Sequence, residues 1–234
     1  MKDKVTAVIT SFNRFDLLTQ CVCSLEKYFK GEIIIIEDSA NAEMKEKVIA
    51  QFSHHTLVFN QENLGLIKSI DKAYSMVKTP FVFHTEDDYV FLKDGFIEHS
   101  VTVLESDYSI NMVWIKGLDE AERTHYPLSG LRMIGNVPYH IVLPKSPESK
   151  HSWKGFCFQC GLRRMEAYHE VGLYDNLISQ WTENGTVYGG FHITNREKAC
   201  DKAYNELGYH SAILTEKYAV HEGYLKSTYG LKNI

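Results

Sequence analysis

The sequence has no apolar run that approaches the ~18–20 residues needed to cross a bilayer. Its first residues, Met1 to Lys4, lead directly into a strand-like run and lack the form of a secretory signal peptide. Acidic residues outnumber basic ones by 30 to 25, giving a formal net charge of −5, which argues against a nucleic-acid-binding protein. We therefore expect a cytoplasmic protein without a transmembrane segment or nucleic-acid partner, for which peripheral membrane association stays open.

Cysteine and proline are scarce, with five residues of each. An odd number of cysteines without a secretion signal favours reduced thiols. Cys157 and Cys160 form a Cys-X-X-Cys pair, a spacing found in zinc sites and redox motifs. A four-ligand zinc site needs two more ligands, and the sequence has no second cysteine pair. We therefore favour a structural role for both.

The first half of the chain alternates between two kinds of apolar pattern. Runs rich in apolar and β-branched residues at 5–10, 33–36, 56–59 and 81–83 predict four buried strands. Between them, apolar residues recur at helical spacing from Leu17, from Met44 and from Leu66, which predicts three helices. Alternation with short links predicts an α/β domain whose parallel sheet is covered by helices on both faces.

The second half is less regular. Residues 94–106 are predicted as a helix, 110–115 as a strand, and 161–172 and 194–208 as further helices. Four of the five prolines fall within 117–152, which predicts long loops or short strands there. Thr194 to Glu197 has the order of a capping box, so Glu197 could serve simply to begin the last helix.

Polar side chains lie at the ends of three predicted strands. Ser11, Asn13 and Arg14 follow the first strand, Asp38 ends the second, and Glu86-Asp87-Asp88 follows the fourth. Ligands of parallel sheets bind beyond the carboxyl ends of the strands, so these groups are expected at one binding edge. Caps and turns are the alternative for the residues after the first two strands.

The acidic triplet 86–88 predicts a metal site. Three consecutive carboxylates repel one another, and folded proteins compensate such groups with a cation or hydrogen-bond donors. Mg²⁺ and Mn²⁺ prefer oxygen ligands and bridge carboxylates to substrate phosphates. A solvated acidic turn is the alternative, but the position after a buried strand favours metal. Asn63, Gly65 and Lys68 could hold phosphates at a helix start.

Four segments occur together in a recognisable order: TSFNR (10–14), IIIIEDS (33–39), NQENLGLIKS (60–69) and FVFHTEDDYVF (81–91). Their arrangement resembles the nucleotide-binding half of family 2 glycosyltransferases, which have the GT-A fold. A weaker match continues through GLRRMEAYHEVGLYD (161–175). The resemblance implies one domain with a Rossmann-like, mostly parallel sheet, a nucleotide-binding half at 1–92 and a smaller acceptor-binding half at 93–234.

The resemblance also implies roles for single residues. Asp38 would contact the nucleobase, Glu86 the ribose or an outer water, and Asp88 a Mn²⁺ or Mg²⁺ ion. His221, in the segment AVHEG (219–223), would complete the metal site or touch the diphosphate, although a lone histidine is more often structural. The other nucleotide-binding candidates are Thr10, Ser11, Asn13, Arg14, Asn63, Gly65, Lys68 and Asp87.

The implied reaction moves a sugar from a UDP-, GDP- or dTDP-linked donor, with UDP favoured, to a glycan or lipid-linked acceptor. An inverting enzyme needs a general base. The family's spacing points to Glu197, eleven residues before Gly208, or to Glu183, eight residues after Asp175, and we favour Glu197. Three aromatic residues could stack on sugars or belong to the core: Trp153, Trp181 and Tyr188.

Two other functions remain open from the sequence. A sugar-phosphate nucleotidyltransferase uses a similar sheet, but such enzymes commonly carry a glycine-rich basic loop after the first strand, and TSFNRFD (10–16) is neither. A non-catalytic sugar- or nucleotide-binding domain of the same fold would explain why the family's Glu-Asp pair is incomplete at Glu197.

Overall fold

The computed structural model describes residues 1, 3–119, 126–144, 153–180, 182–183, 186–187 and 193–223. These residues form strands and helices that alternate in the first half, as predicted. The strands are β1 (Val5–Ser11), β2 (Ile33–Glu37), β3 (Thr56–Phe59), β4 (Phe81–Glu86), β5 (Tyr89–Phe91), β6 (Ile110–Trp114), β7 (Arg132–Ile134), β8 (Val137–Ile141), β9 (Gly161–Arg164), β10 (Thr182–Glu183), β11 (Thr186–Val187), β12 (His210–Leu214) and β13 (Ala219–His221). The helices are α1 (Phe15–Tyr28), α2 (Ala42–Phe52), α3 (Leu66–Tyr74), α4 (Phe96–Ser106), α5 (Met165–Val171), α6 (Tyr174–Gln180) and α7 (Ile193–Glu206).

Nine strands form the central sheet in the order β3-β2-β1-β4-β9-β6-β12-β8-β7. Strands β3, β2, β1 and β4 are parallel to one another, and β6 is parallel to β12. Strand β9 runs antiparallel between β4 and β6, and β8 and β7 extend the sheet in antiparallel fashion. The predicted mostly parallel sheet is confirmed, and it continues without a break into the second half of the chain.

Alternate side chains of the strands fill two cores. Ile33 and Ile35 pack with α1, α2 and α4 on one face, whereas Ile34 and Ile36 pack with α3 and the helices of the second half on the other. Burying one such side chain contributes about 1.5–3 kcal/mol. This period-two division explains why the first four residues of β2 are all isoleucine, and it confirms the prediction of helices on both faces.

The segment 161–172, predicted as one helix, is a strand followed by a helix. Its first four residues form β9, and α5 begins only at Met165. Gly161 lies so close to β6 that a Cβ atom would stand 2.6 Å from the Val113 carbonyl oxygen. Arg163 is buried because its guanidinium donates to the carbonyls of Cys157 (2.9 Å) and Gln159 (2.8 Å). Because buried strands rarely contain two successive arginines, the sequence pattern did not indicate β9.

Other boundaries also differ from expectation. Strand β4 extends to Glu86, so the first acid of the triplet is a strand residue rather than part of a turn. Helix α3 begins at the predicted Leu66 and ends at Tyr74. Helix α7 begins at Ile193, which places Thr194 inside the helix, and the predicted capping box is wrong because Glu197 binds another segment.

Helix α3 is joined to the second half of the chain through Asp71. Its carboxylate accepts the Tyr168 hydroxyl (2.9 Å) and the backbone N–H groups of Tyr174 (3.1 Å) and Asp175 (2.9 Å). The carboxylate therefore caps the first turn of α6. No helix in the described part of the chain is long and apolar enough to cross a membrane.

Candidate active site

Three parallel strands stop at the same level of the sheet. Backbone hydrogen bonds join the residues just after them: Asp38 donates to the Ser11 carbonyl (3.0 Å), Asn60 to the Glu37 carbonyl (3.0 Å), and Asp87 to the Thr10 carbonyl (3.0 Å). The polar segments expected at one edge are therefore neighbours. Thr10 itself is buried, and its hydroxyl has no partner within the described residues.

Arg14, immediately before α1, bridges two acids of the triplet. Its guanidinium donates to Asp88 Oδ2 (2.9 Å) and, through two further nitrogens, to the Asp87 carboxylate. Ser11 Oγ donates to Asp87 Oδ2 at 2.9 Å. Burial raises the pKa of Asp87 to about 6, although Arg14 lowers it. Asp87 is 0% exposed and anchors Arg14, and its contact with a nucleotide stays a prediction.

Asp88 and His221 meet beside this ion pair. The short ladder between β5 and β13 sets His221 opposite Tyr89, and the two rings stack with centroids 4.9 Å apart. His221 Nε2 lies 3.2 Å from Asp88 Oδ2. Burial raises the pKa of Asp88, but the contacts with His221 and Arg14 outweigh burial and hold this pKa below its ordinary value.

These residues fit a divalent cation. Asp88 Oδ1 is buried and has no hydrogen-bond partner within the described residues, and a buried carboxylate oxygen normally has one. A bound cation would supply the missing interaction, with His221 as a nitrogen ligand. Gly223 passes so close that a Cβ atom there would stand 2.1 Å from Asp88 Oδ2. Sequence reasoning missed Gly223, because its contact is visible only in three dimensions.

Glu86 and Glu197 are a second pair of acids at this edge. Burial raises the pKa of Glu86 to about 8, with repulsion from Asp88, Asp87 and, more weakly, Glu197. Burial raises the pKa of Glu197 to about 7. Burial therefore makes both carboxyl groups harder to ionise than a free glutamate, and Glu86 more so than Glu197.

Helix α7 holds Glu197 in place through the segment 154–158. Glu197 Oε1 accepts the backbone N–H of Phe158 at 3.0 Å. One turn later, Asp201 accepts the N–H groups of Lys154 (2.9 Å) and Phe156 (2.8 Å). No donor among the described residues reaches Glu197 Oε2. A carboxylate that has one oxygen fixed, the other without a donor and a pKa raised to about 7 suits general acid–base chemistry.

Asp38 holds the loop before α3. Its carboxylate accepts Asn60 Nδ2 (2.7 Å) and the backbone N–H groups of Leu64 (2.8 Å) and Gly65 (2.8 Å). Contact with a nucleobase stays a prediction, since a carboxylate can accept a further donor. Asn60 was missed by sequence reasoning, although a polar residue that ends a buried strand is a usable signal.

The remaining phosphate candidates lie on this loop and the next helical turn. Gly65 has φ +80° and open space around its Cα, which fits a backbone approached by a ligand. Asn63 and Lys68 are exposed beside it.

A matching contact fixes the residues after β1. Asn13 has φ 54°, and its backbone N–H donates to Glu37 Oε1 at 2.8 Å. Its side-chain oxygen accepts Asn41 Nδ2 at 3.1 Å. Buried Glu37, which also accepts the Ser39 N–H at 3.1 Å, therefore shapes the loop that carries Asn13 and Arg14. Sequence reasoning missed Glu37.

Several other predicted residues lie apart or outside the described residues. Trp181, Tyr188 and the side chain of Glu183 are outside. Trp153 is half-buried among aromatic rings, 4.4 Å from Tyr126 and 5.6 Å from Trp114, and it donates to the Phe156 carbonyl. Its position fits the core alternative.

The Cys-X-X-Cys pair is buried. Burial raises the pKa of Cys157 and of Cys160 to about 12. Because the thiolate is the form that binds metals and attacks electrophiles, both thiols are chemically inert here.

Comparison with known proteins adds a family and a fold. The family described as "Glycosyl transferase family 2" matches residues 6–172. No protein of curated function matches the sequence. Among solved structures, a mannosyltransferase, PcManGT from Pyrobaculum calidifontis in complex with GDP-Man and Mn²⁺, superposes with a TM-score of 0.58 at 14% identity. The match covers 90% of this chain and 54% of that one.

Two further structures resemble the chain to a similar degree. S. aureus TarS (1–349) has a TM-score of 0.55 at 15% identity, covering 92% of this chain and 59% of that one. GalNAc-T7 with UDP, GalNAc and Mn²⁺ has a TM-score of 0.60 at 15% identity, and the match covers 93% of this chain and 43% of that one. The chain thus spans about half the length of these proteins. At such identities the likeness shows a shared fold.

Proposed function

Because the chain belongs to glycosyl transferase family 2, we propose that it transfers a sugar, with inversion, from a nucleotide-diphosphate donor to a glycan or lipid-linked acceptor. The observation that carries this proposal is the meeting of Arg14, Asp88 and His221 at the carboxyl edge of the parallel strands. Structures of the same fold with GDP-Man and Mn²⁺, and with UDP and Mn²⁺, support a nucleotide and a divalent ion at that edge.

Asp88 and His221 are the residues that would hold Mn²⁺ or Mg²⁺. When bound, such an ion stabilises the negative charge that develops on the leaving diphosphate. Arg14 balances the charge of Asp87 and orients Asp88. Glu86, at the end of β4, is the residue that we place at the ribose or at an outer water of the metal site.

The nucleotide would lie along the loop that Asp38 organises. We place the nucleobase near Asp38 and Asn13, with a UDP donor favoured over GDP or dTDP. The phosphates would approach Gly65, where the backbone is open, with Lys68 one turn into α3. Asn63 borders the same loop, and its side chain accepts the Gly65 N–H at 2.9 Å.

We assign Glu197 as the base that activates the acceptor. Phe158 N–H fixes Glu197 Oε1, which leaves Oε2 to receive the proton of the acceptor hydroxyl. The hydroxyl oxygen bonds to the anomeric carbon as the bond from that carbon to the diphosphate breaks. The electron pair leaves with the nucleoside diphosphate, and the configuration at the anomeric carbon is inverted. Glu183, the alternative base, would have to reach the same hydroxyl.

Calorimetry with UDP, GDP and dTDP, each with and without Mn²⁺, tests the donor site. We expect Mn²⁺-dependent binding that is strongest for UDP. Asp88→Ala should abolish the metal dependence, whereas Asp94→Ala, which removes an exposed acid nearby, should leave it intact. Absence of metal-dependent binding of all three nucleotides would contradict the proposal.

Turnover separates catalysis from binding. A transferase should release nucleoside diphosphate from a nucleotide sugar, by transfer or slow hydrolysis, and Glu197→Gln should stop this release while the nucleotide still binds. A binding domain would show no turnover, and a nucleotidyltransferase would instead release pyrophosphate from a nucleoside triphosphate.

All five cysteines are unpaired, which suits the reducing cytoplasm that we propose as the setting.

A further inference from the structure

Two histidines and a glutamate form a cluster on α1 and the turn between α2 and β3. Glu26 lies in the second half of α1, and His54 and His55 precede β3. His54 Nε2 stands 2.8 Å and His55 Nε2 3.0 Å from the same oxygen, Glu26 Oε1. Since α1 begins beside Arg14, the cluster is about 18 Å along the helix from the donor site. We name it the Glu26 cluster.

The ligand atoms of the Glu26 cluster converge. The two imidazole nitrogens and one carboxylate oxygen all lie within 4.8 Å of one another. In a tetrahedral zinc site, metal–ligand bonds of about 2.1 Å place ligand atoms about 3.4 Å apart. The two nitrogen–oxygen distances would therefore widen by about 0.5 Å, which small side-chain rotations supply.

The charge state of the cluster also suits a cation. The rings of His54 and His55 are packed with centroids 4.1 Å apart, so two protonated imidazoles would repel each other. Burial, helped by His54, lowers the pKa of His55, and the contact with Glu26 opposes this effect. A neutral imidazole is the form that binds metals. One cation would then satisfy both rings and the carboxylate.

We propose that Glu26, His54 and His55 bind Zn²⁺, or a similar transition-metal ion, at a site separate from the donor site. Two imidazoles and one carboxylate suit Zn²⁺ better than Mg²⁺ or Mn²⁺, which favour all-oxygen ligands. The side chains are 34%, 57% and 11% exposed, so water completes the coordination. The ion would cross-link α1 to the turn that leads into β3.

This site changes how metal dependence must be measured. A titration of the protein with divalent ions would report two sites of different preference, one at Asp88 and one at the Glu26 cluster. Zn²⁺ bound at the cluster would stabilise the fold without supporting sugar transfer. The inference does not rest on the proposed function, because none of its ligands belongs to the donor site.

Competition between the metal-free protein and a colorimetric zinc chelator tests the proposal. We expect His54→Ala and Glu26→Gln each to weaken Zn²⁺ binding at least about tenfold, since even residues that only orient ligands cost that much. His169→Ala removes an exposed histidine outside the cluster and should have no effect. Asp88→Ala should keep the site. With Co²⁺ in place of Zn²⁺, the visible absorption of the ion should change on loss of His54.

Unchanged Zn²⁺ affinity in both His54→Ala and Glu26→Gln would overturn the proposal. So would Zn²⁺ binding that disappears only in Asp88→Ala, because the ion would then occupy the donor site. Circular dichroism verifies that each variant is folded, and His54 is exposed enough to be replaced without disturbing a core. Mn²⁺-dependent nucleotide binding is measured separately, so either proposal can fail alone.

Discussion

Replacing Gly223 by alanine tests how Asp88 is held. A Cβ atom at this position would stand 2.1 Å from Asp88 Oδ2, 2.6 Å from its Cγ and 2.7 Å from its Cβ. Cβ contacts under 3.0 Å essentially never occur. Either the carboxylate or the chain after β13 must therefore move by about 0.9 Å or more. The adjacent hydrogen bond from Glu222 N–H to the Asp88 carbonyl (2.8 Å) resists movement of the chain.

The size of the effect follows from the sensitivity of metal sites. Loss of a group that merely orients a ligand costs 10–100-fold in affinity, or about 1.4–2.8 kcal/mol. Displacing the carboxylate of Asp88 itself should cost at least this much. Gly130→Ala is the matched control, because no atom lies within 4 Å of a Cβ placed there.

Electron paramagnetic resonance of free Mn²⁺, titrated with protein and UDP, measures the change directly. We expect Gly223→Ala to weaken Mn²⁺ binding by about 10–100-fold, with Gly130→Ala unchanged. If Gly223→Ala bound Mn²⁺ within twofold of the native chain, Asp88 would not be the ligand or would move without cost. In either case the reasoning would be wrong.

Three further predictions concern other groups. In the native chain, kcat should rise as pH increases through about 7, because the Glu197 base must be ionised. Glu197→Gln should lower kcat by about 10²–10⁴-fold and abolish this pH dependence. A thiol reagent should label Cys23 alone, as mass spectrometry can show, and labelling of a second cysteine before unfolding would contradict the described burial. Asp71→Ala leaves three donors without their acceptor, two of them buried, and should lower the free energy of unfolding in urea by about 2–4 kcal/mol. Asp175→Ala, which keeps its backbone donor, should have little effect.

The elements of the first half follow from local sequence. Strand β2 is an uninterrupted run of four isoleucines, and helix α1 repeats apolar residues at helical spacing. Parallel strands joined by short helical connections leave few topologies open. The edge of the sheet that carries the acidic triplet could therefore be named from sequence alone.

Strand β9 could not be predicted in this way. The burial of Arg163 and Arg164 depends on carbonyl groups from other segments, including those of Cys157 and Ile110. No local pattern indicates such partners, and a segment with two arginines and two glutamates is typical of a surface helix. A long-range hydrogen-bond network outweighed local propensity.

The candidate site likewise combines features that the sequence indicates with features that arise only from the fold. Spacing suggested Glu197, but its pKa near 7 and its contact with Phe158, 39 residues away in sequence, arise only from packing. The triplet 86–88 suggested a metal, but the different duties of Asp87 and Asp88 depend on Arg14, 73 and 74 residues earlier. Residue types indicate the chemistry, and the fold assigns each residue its part.

The place of β9 in the sheet has a consequence for synthesis of the chain. Its residues 161–164 pair with β4 on one side and β6 on the other, yet translation of β4 is complete at residue 86. At a translation rate of roughly 5–20 residues per second, the apolar edge of β4 stays unpaired for about 4–16 s until β9 has been synthesised. An unpaired apolar edge invites association with other chains. The nascent protein is thus most prone to association after β4 is complete and while β9 is still being translated, and a fragment of residues 1–92 would keep that edge of β4 unpaired.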